Sequence, residues 1–154
     1  MLRHLAIAAL VLAVCAPLWA ADLPKHSDTP AGPAAGTLDG KWKVISYLKR
    51  GKPVLDDDDT MWFTFTGGDF VLELKQSDKT VKIGGTFTTN PKANPPTMDL
   101  RPEDEKGVVR AIYKIEKDKL TLCIGISGTP RPKKFESTED TEASLLVLER
   151  VKKK

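Results

Sequence analysis

Few residues in this chain carry side chains that could do chemistry, and they are scattered. Cys123 has the type of a nucleophile or metal ligand, but His4 and His26 are the only histidines, and both precede the part of the chain with a core to fold. Without an imidazole to take its proton, a thiol of this kind reads as a packed side chain, and a serine triad or a histidine-bound zinc is excluded on the same ground. The run Asp56 to Asp59 concentrates carboxylates, yet calcium loops alternate ligands with glycine and spacers, so four adjacent acids read as a solvated loop. Asp99 could act as a general base, but no second carboxylate or histidine pairs with it in sequence, and a hydrogen-bonded turn residue is the plainer reading. Ser46, Asp99, Tyr113 and Arg131 are the polar groups expected near the interior or mouth of the fold, where a few such groups would orient a ligand in an apolar pocket. No catalytic residue, metal site or cofactor is assigned.

These residues are positioned by alternating runs. From Val108 to Gly125, Ala111, Tyr113 and Ile115 face one way and Arg110, Lys114 and Glu116 the other, the period of a half-buried strand. With a turn at Lys117-Asp118, Ile115 falls opposite Leu120, Tyr113 opposite Leu122 and Ala111 opposite Ile124, so both apolar faces coincide. Similar runs occur throughout. Trp42, Val44 and Leu48 share a face. Phe63 and Phe65 turn through Gly67-Gly68-Asp69 into Phe70, Leu72 and Leu74. Val81, Ile83 and Phe87 form another run, interrupted by Gly84-Gly85 as at a bulge or sharp bend, and Leu146, Leu148 and Arg150 share a face of the last. Prolines 91, 95 and 96 confine Thr97 to Arg101 to a short or edge strand. A short cap at Glu139 to Ala143 is the one place where a helical turn would fit. The expectation is an all-β, antiparallel up-and-down barrel of about eight strands.

The chain has 154 residues. Residues 1–20 carry Arg3, an apolar run from Leu5 to Val14 too short to span a bilayer, and small residues at Ala16, Ala20 and Ala21, the pattern of a secretory signal peptide. Two processing routes stay open: cleavage after Ala20 or Ala21, or lipidation at Cys15, since Leu12-Ala13-Val14-Cys15 looks like a lipobox with Val14 in place of the usual small residue. Residues 21–37 form a Pro/Gly/Ala linker, 38–150 the barrel domain and 151–154 a basic tail. The address is therefore exported: periplasmic, cell-envelope or secreted, with membrane contact only through a lipid anchor. Removing residues 1–20 leaves a net charge of +2, too even a balance to bind nucleic acid.

Across 38–150 the chain resembles a lipocalin-like domain family of unknown function found in planctomycete bacteria. The carriers are Leu38-Asp39-Gly40-Lys41-Trp42-Lys43-Val44, Gly51-Lys52-Pro53, Gly85-Thr86-Phe87, Pro95-Pro96-Thr97-Met98-Asp99-Leu100, Ile112-Tyr113, Asp118-Lys119-Leu120-Thr121-Leu122-Cys123, Arg131-Pro132 with Phe135, and Leu148-Glu149-Arg150. Two positions differ: Ala111 and Lys117 stand where the family tends to have glycine. The resemblance implies a lipocalin-like barrel in which Gly40 and Trp42 at the start of the first strand meet Arg150 at the end of the last, closing one end. It implies no activity. The reading is a non-enzymatic module that binds a small apolar or amphipathic molecule in its barrel, or, alternatively, an envelope module with a filled barrel whose loops near Asp56 to Asp59 and Asn90 to Pro96 contact a protein or polymer.

Overall fold

The computed structural model describes residues 38–152. The signal segment, Cys15 and the linker lie outside the described residues, as does the end of the basic tail. Nine strands follow in chain order: β1 (Gly40–Lys49), β2 (Lys52–Pro53), β3 (Thr60–Thr66), β4 (Asp69–Gln76), β5 (Lys79–Asn90), β6 (Thr97–Pro102), β7 (Val109–Glu116), β8 (Lys119–Ile124) and β9 (Ser144–Arg150). Each of β3 to β9 pairs antiparallel with its sequence neighbour, and β9 pairs back onto β1, so eight strands close into an up-and-down barrel with β2 as a short extra strand on β1. No helix forms among the described residues, and 139–143 is a turn held by the Thr141 amide donating to the Thr138 carbonyl, not a helical cap.

Local chemistry accounts for the closure. Alternation in β3 puts Met61, Phe63 and Phe65 inside, and the Gly67-Gly68 turn supplies the positive φ angles of a two-residue hairpin, which brings Phe70 opposite Phe65. The β7–β8 hairpin has the expected register, with Ala111, Tyr113 and Ile115 opposite Ile124, Leu122 and Leu120. Its turn sets Lys117 at φ 59°, a left-handed conformation that glycine adopts without strain and lysine does not favour. Of the bulge or sharp bend expected at Gly84-Gly85, the bulge does not form. Pairing runs through both residues without a register shift, so there is no bulge; β5 instead passes from partner β4 to partner β6 around Gly85 and Thr86. Gly85 is required because a Cβ would run into the Arg101 carbonyl and the Phe70 ring.

One bulge does occur, and it corrects the reading of the first strand. The β1–β9 register shifts between Val44 and Ser46, leaving Ile45 about half exposed. An extra residue reverses the facing of everything after it. Tyr47, opposite Leu146, therefore turns toward the core, while Ser46 and Leu48, opposite Val147 and Leu145, turn outward.

The core is the barrel interior. Trp42, Val44, Phe63, Phe65, Phe70, Phe87, Met98, Leu100, Leu120, Leu122, Leu146 and Leu148 are all buried. Four phenylalanines pack together toward the end where β1 begins: Phe65 meets Phe87 edge-on with ring centroids 5.0 Å apart and stacks on Phe63 at 5.8 Å, which in turn contacts Phe70. Tyr47, Leu72, Leu74, Val109 and Ile124 also face in but are only partly buried.

Candidate functional site

The barrel has two unlike ends. At the first, the Arg150 guanidinium lies 4.1 Å from the centroid of the Trp42 ring and donates to the Asp39 carbonyl at 2.7 Å. The Trp42 indole N–H donates to the Leu38 carbonyl at 2.8 Å, so the segment entering β1 is bound to both partners. Gly40 makes this possible: its φ is +127°, and a Cβ would sit 3.1 Å from an Arg150 nitrogen. A cation stacked on a buried indole contributes about 0.5–2 kcal/mol beyond its hydrogen bonds. Gly40, Trp42 and Arg150 thus meet as the sequence suggested, and their work is to shut this end.

Of the four polar residues expected near the interior or mouth, one lies inside. Tyr113 is buried and points into the barrel, and its hydroxyl has no hydrogen-bond partner. Burial pushes its pKa up, and the Thr89 side chain, which faces in beside Phe87, offsets that rise in part without meeting the hydroxyl in hydrogen-bond geometry. The other three lie outside. Ser46 is turned away by the bulge. Asp99 faces outward because Met98 and Leu100 on either side of it are buried within. Arg131 reaches Asp99 at 2.6 Å and donates to the carbonyls of Met98 at 3.0 Å and Ala111 at 2.7 Å. Asp99 and Arg131 therefore form an outer-wall clamp where β6 meets β7.

Arg131 belongs to the 125–143 segment, which runs over the outer face of the wall as a strap. Phe135 on it lies beneath the Lys114 ammonium at 5.9 Å, and the Ser137 hydroxyl accepts from the Gly51 amide and donates to the Ala143 carbonyl. Cys123 is sealed below the strap, fully buried, its thiol donating to the Glu136 carbonyl at 3.5 Å. Burial, chiefly, raises its pKa, the opposite of what a nucleophile needs. A cleft of about 370 Å³ lies along the strap, between Pro130, Pro132, Lys134, Glu136 and Ala143.

The acidic loop is an ordinary turn. The Asp59 amide donates to the Asp56 carbonyl, and the Asp59 carboxylate accepts from Gln76. No group of three or more metal-ligating side chains occurs among the described residues. On the outer wall, Glu73 sits between Lys82 at 2.7 Å and Lys41 at 3.0 Å, and their hydrogen bonds hold its carboxyl below the usual range.

Sequence reading missed two inward hydroxyls. Thr89 could have been found, since it shares parity with Phe87; Tyr47 could not, because the bulge that turns it inward leaves no mark in the alternation. Fold and site together define a closed, antiparallel, lipocalin-like β-barrel with one unsatisfied phenol inside. No family model, no curated protein and no solved structure matches the chain.

Proposed function

We propose that this chain is an exported, non-enzymatic, lipocalin-like module that holds a small apolar or amphipathic molecule in its barrel. The observation that carries this reading is the Tyr113 hydroxyl, buried without a hydrogen-bond partner in an interior whose other inward polar groups are the hydroxyls of Thr89 and Tyr47 and the engaged Arg150 guanidinium. Buried polar groups are almost always paired, and an unpaired one costs about 1–3 kcal/mol, so the site gains from any guest that satisfies it. The partly buried Tyr47, Leu72, Leu74, Val109 and Ile124 add apolar surface for the body of such a guest. The family resemblance bears on the fold and supplies no activity, while the signal-like residues 1–20 agree with work outside the cytoplasm.

The second reading is an envelope interaction module with a solid barrel, favoured by the packed phenylalanine cluster. Its form changes in one respect. The strand order sets the Asp56–Asp59 loop at the end where β1 finishes and the Asn90–Pro96 loop at the end where β1 begins, so one partner surface would use one loop or the other.

Native mass spectrometry of the protein purified from its own envelope fraction separates the two. A small molecule released at near-unit stoichiometry is the expected result. A bare chain that takes up no apolar fluorescent probe would transfer the proposal to the solid barrel. The same mass reads whether Cys15 carries diacylglycerol.

A further inference from the structure

The register allows the inward side chains to be read strand by strand, and their polarity is lopsided. Away from the strand tips, the groups facing in from β3 to β8 are hydrocarbon or thioether except for the hydroxyls of Thr89 and Tyr113. Among the described residues no carboxylate faces in, and the only inward cation below the rim is Arg150, whose guanidinium is already engaged by Trp42, the Asp39 carbonyl and, at 3.9 Å, the Asp118 carboxylate. A charged headgroup brought into this space would lack a counter-ion, and burying an unpaired charge costs far more than burying a neutral polar group. The interior thus rejects both acids and amines by what it omits.

We infer that the molecule held by this barrel is uncharged and that its inner end carries a hydrogen-bond acceptor, of the ketone, ester or amide-carbonyl kind, which receives the Tyr113 hydroxyl. This rests on the binding reading above and narrows it. A phenol donates better than it accepts, and desolvation keeps this one protonated well into the alkaline range, so the group it awaits is an acceptor. Carbonyl compounds are selected over alkanes by one hydrogen bond, and over carboxylates of the same length by the absence of a free interior cation.

The test uses the mature chain and four medium-chain probes of equal length, a methyl ketone, the alkane, the carboxylate and the amine, with affinity read by displacement of a fluorescent apolar probe. The ketone is expected to bind roughly tenfold more tightly than the alkane, the worth of one hydrogen bond. Tyr113→Phe should erase that advantage, so that ketone and alkane bind the variant equally; circular dichroism and a thermal melt establish that the variant is folded. The comparison of ketone with carboxylate needs no variant. Carboxylate or amine binding as tight as the ketone would overturn the inference and leave the binding reading standing. Retention of no probe of any class would overturn both, making a trapped water the partner of Tyr113.

Discussion

Gly85 is the position where the barrel tolerates no side chain at all, because the Arg101 carbonyl and the Phe70 ring already occupy the space a Cβ would take. Since one of those neighbours is backbone in a paired strand, relief cannot come from a rotamer change. Gly85→Ala should therefore lower stability by about 1–3 kcal/mol through overpacking. Urea unfolding checks this: the midpoint should fall with the slope unchanged, and an unmoved midpoint would show that β5 and β6 separate freely. The dipeptide was legible as a special site from the sequence, as a bulge or a sharp bend. Which of the two it is depends on the strand that lies against it, and no local pattern carries that. Tyr113 was legible in the same partial way: its parity announced an inward ring, but only the assembled interior reveals that no group, Thr89 included, meets its hydroxyl in hydrogen-bond geometry.

The 125–143 strap is held to the barrel by side chains, not by a ladder, and Arg131 is its principal anchor, through Asp99 and two carbonyls. Replacing it with methionine, which keeps the stem and removes the guanidinium, leaves those acceptors without their donor. Arg131→Met should cost about 1–3 kcal/mol. It should also loosen the cover over Cys123, the one thiol in the chain once residues 1–20 are removed. Reaction of that thiol with a disulfide reagent under native conditions is expected to accelerate at least several-fold, whereas unchanged labelling would mean that Phe135 and Ser137 hold the strap without Arg131. Sequence reasoning identified Arg131 as a polar residue of consequence but placed it near the interior or mouth. The distinction between lining a cavity and clamping a wall lies in which carbonyls it reaches, and those belong to strands about 20 and 33 residues earlier.

At the scale of the whole molecule, the barrel keeps two acidic groups neutral by burying them. The ordinary pKa values are 9.0 for the Cys123 thiol and 10.0 for the Tyr113 phenol, and desolvation raises both in the folded state. Below the first of these values both groups are protonated, folded or unfolded, and pH has no leverage through them. As pH rises past them the unfolded chain releases protons that the folded chain retains, so stability declines with increasing pH. Thermal melts across the alkaline range should show this fall, and the double variant Tyr113→Phe, Cys123→Ser should flatten it. A fall of equal steepness in the variant would show that neither buried group is the source of the alkaline sensitivity.

What the sequence alone determined is the class of architecture and the register of its best-marked hairpins. Period-two alternation, glycine-bearing turns and the apolar faces of β7 and β8 are local properties, and local properties survive being read one strand at a time. The pairing of Trp42 with Arg150 was also within reach, as something the family resemblance implied and the shared parity of Arg150 with Leu146 and Leu148 supported. Only the tertiary structure decided the facing of Ser46 and Tyr47, which turns on a bulge set by β1 accommodating β9. The same holds for the clamp between Asp99 and Arg131, and for the isolation of the Tyr113 hydroxyl. Each of these depends on what stands across a gap from a residue distant in sequence, and the geometry of that encounter does not exist until the barrel closes.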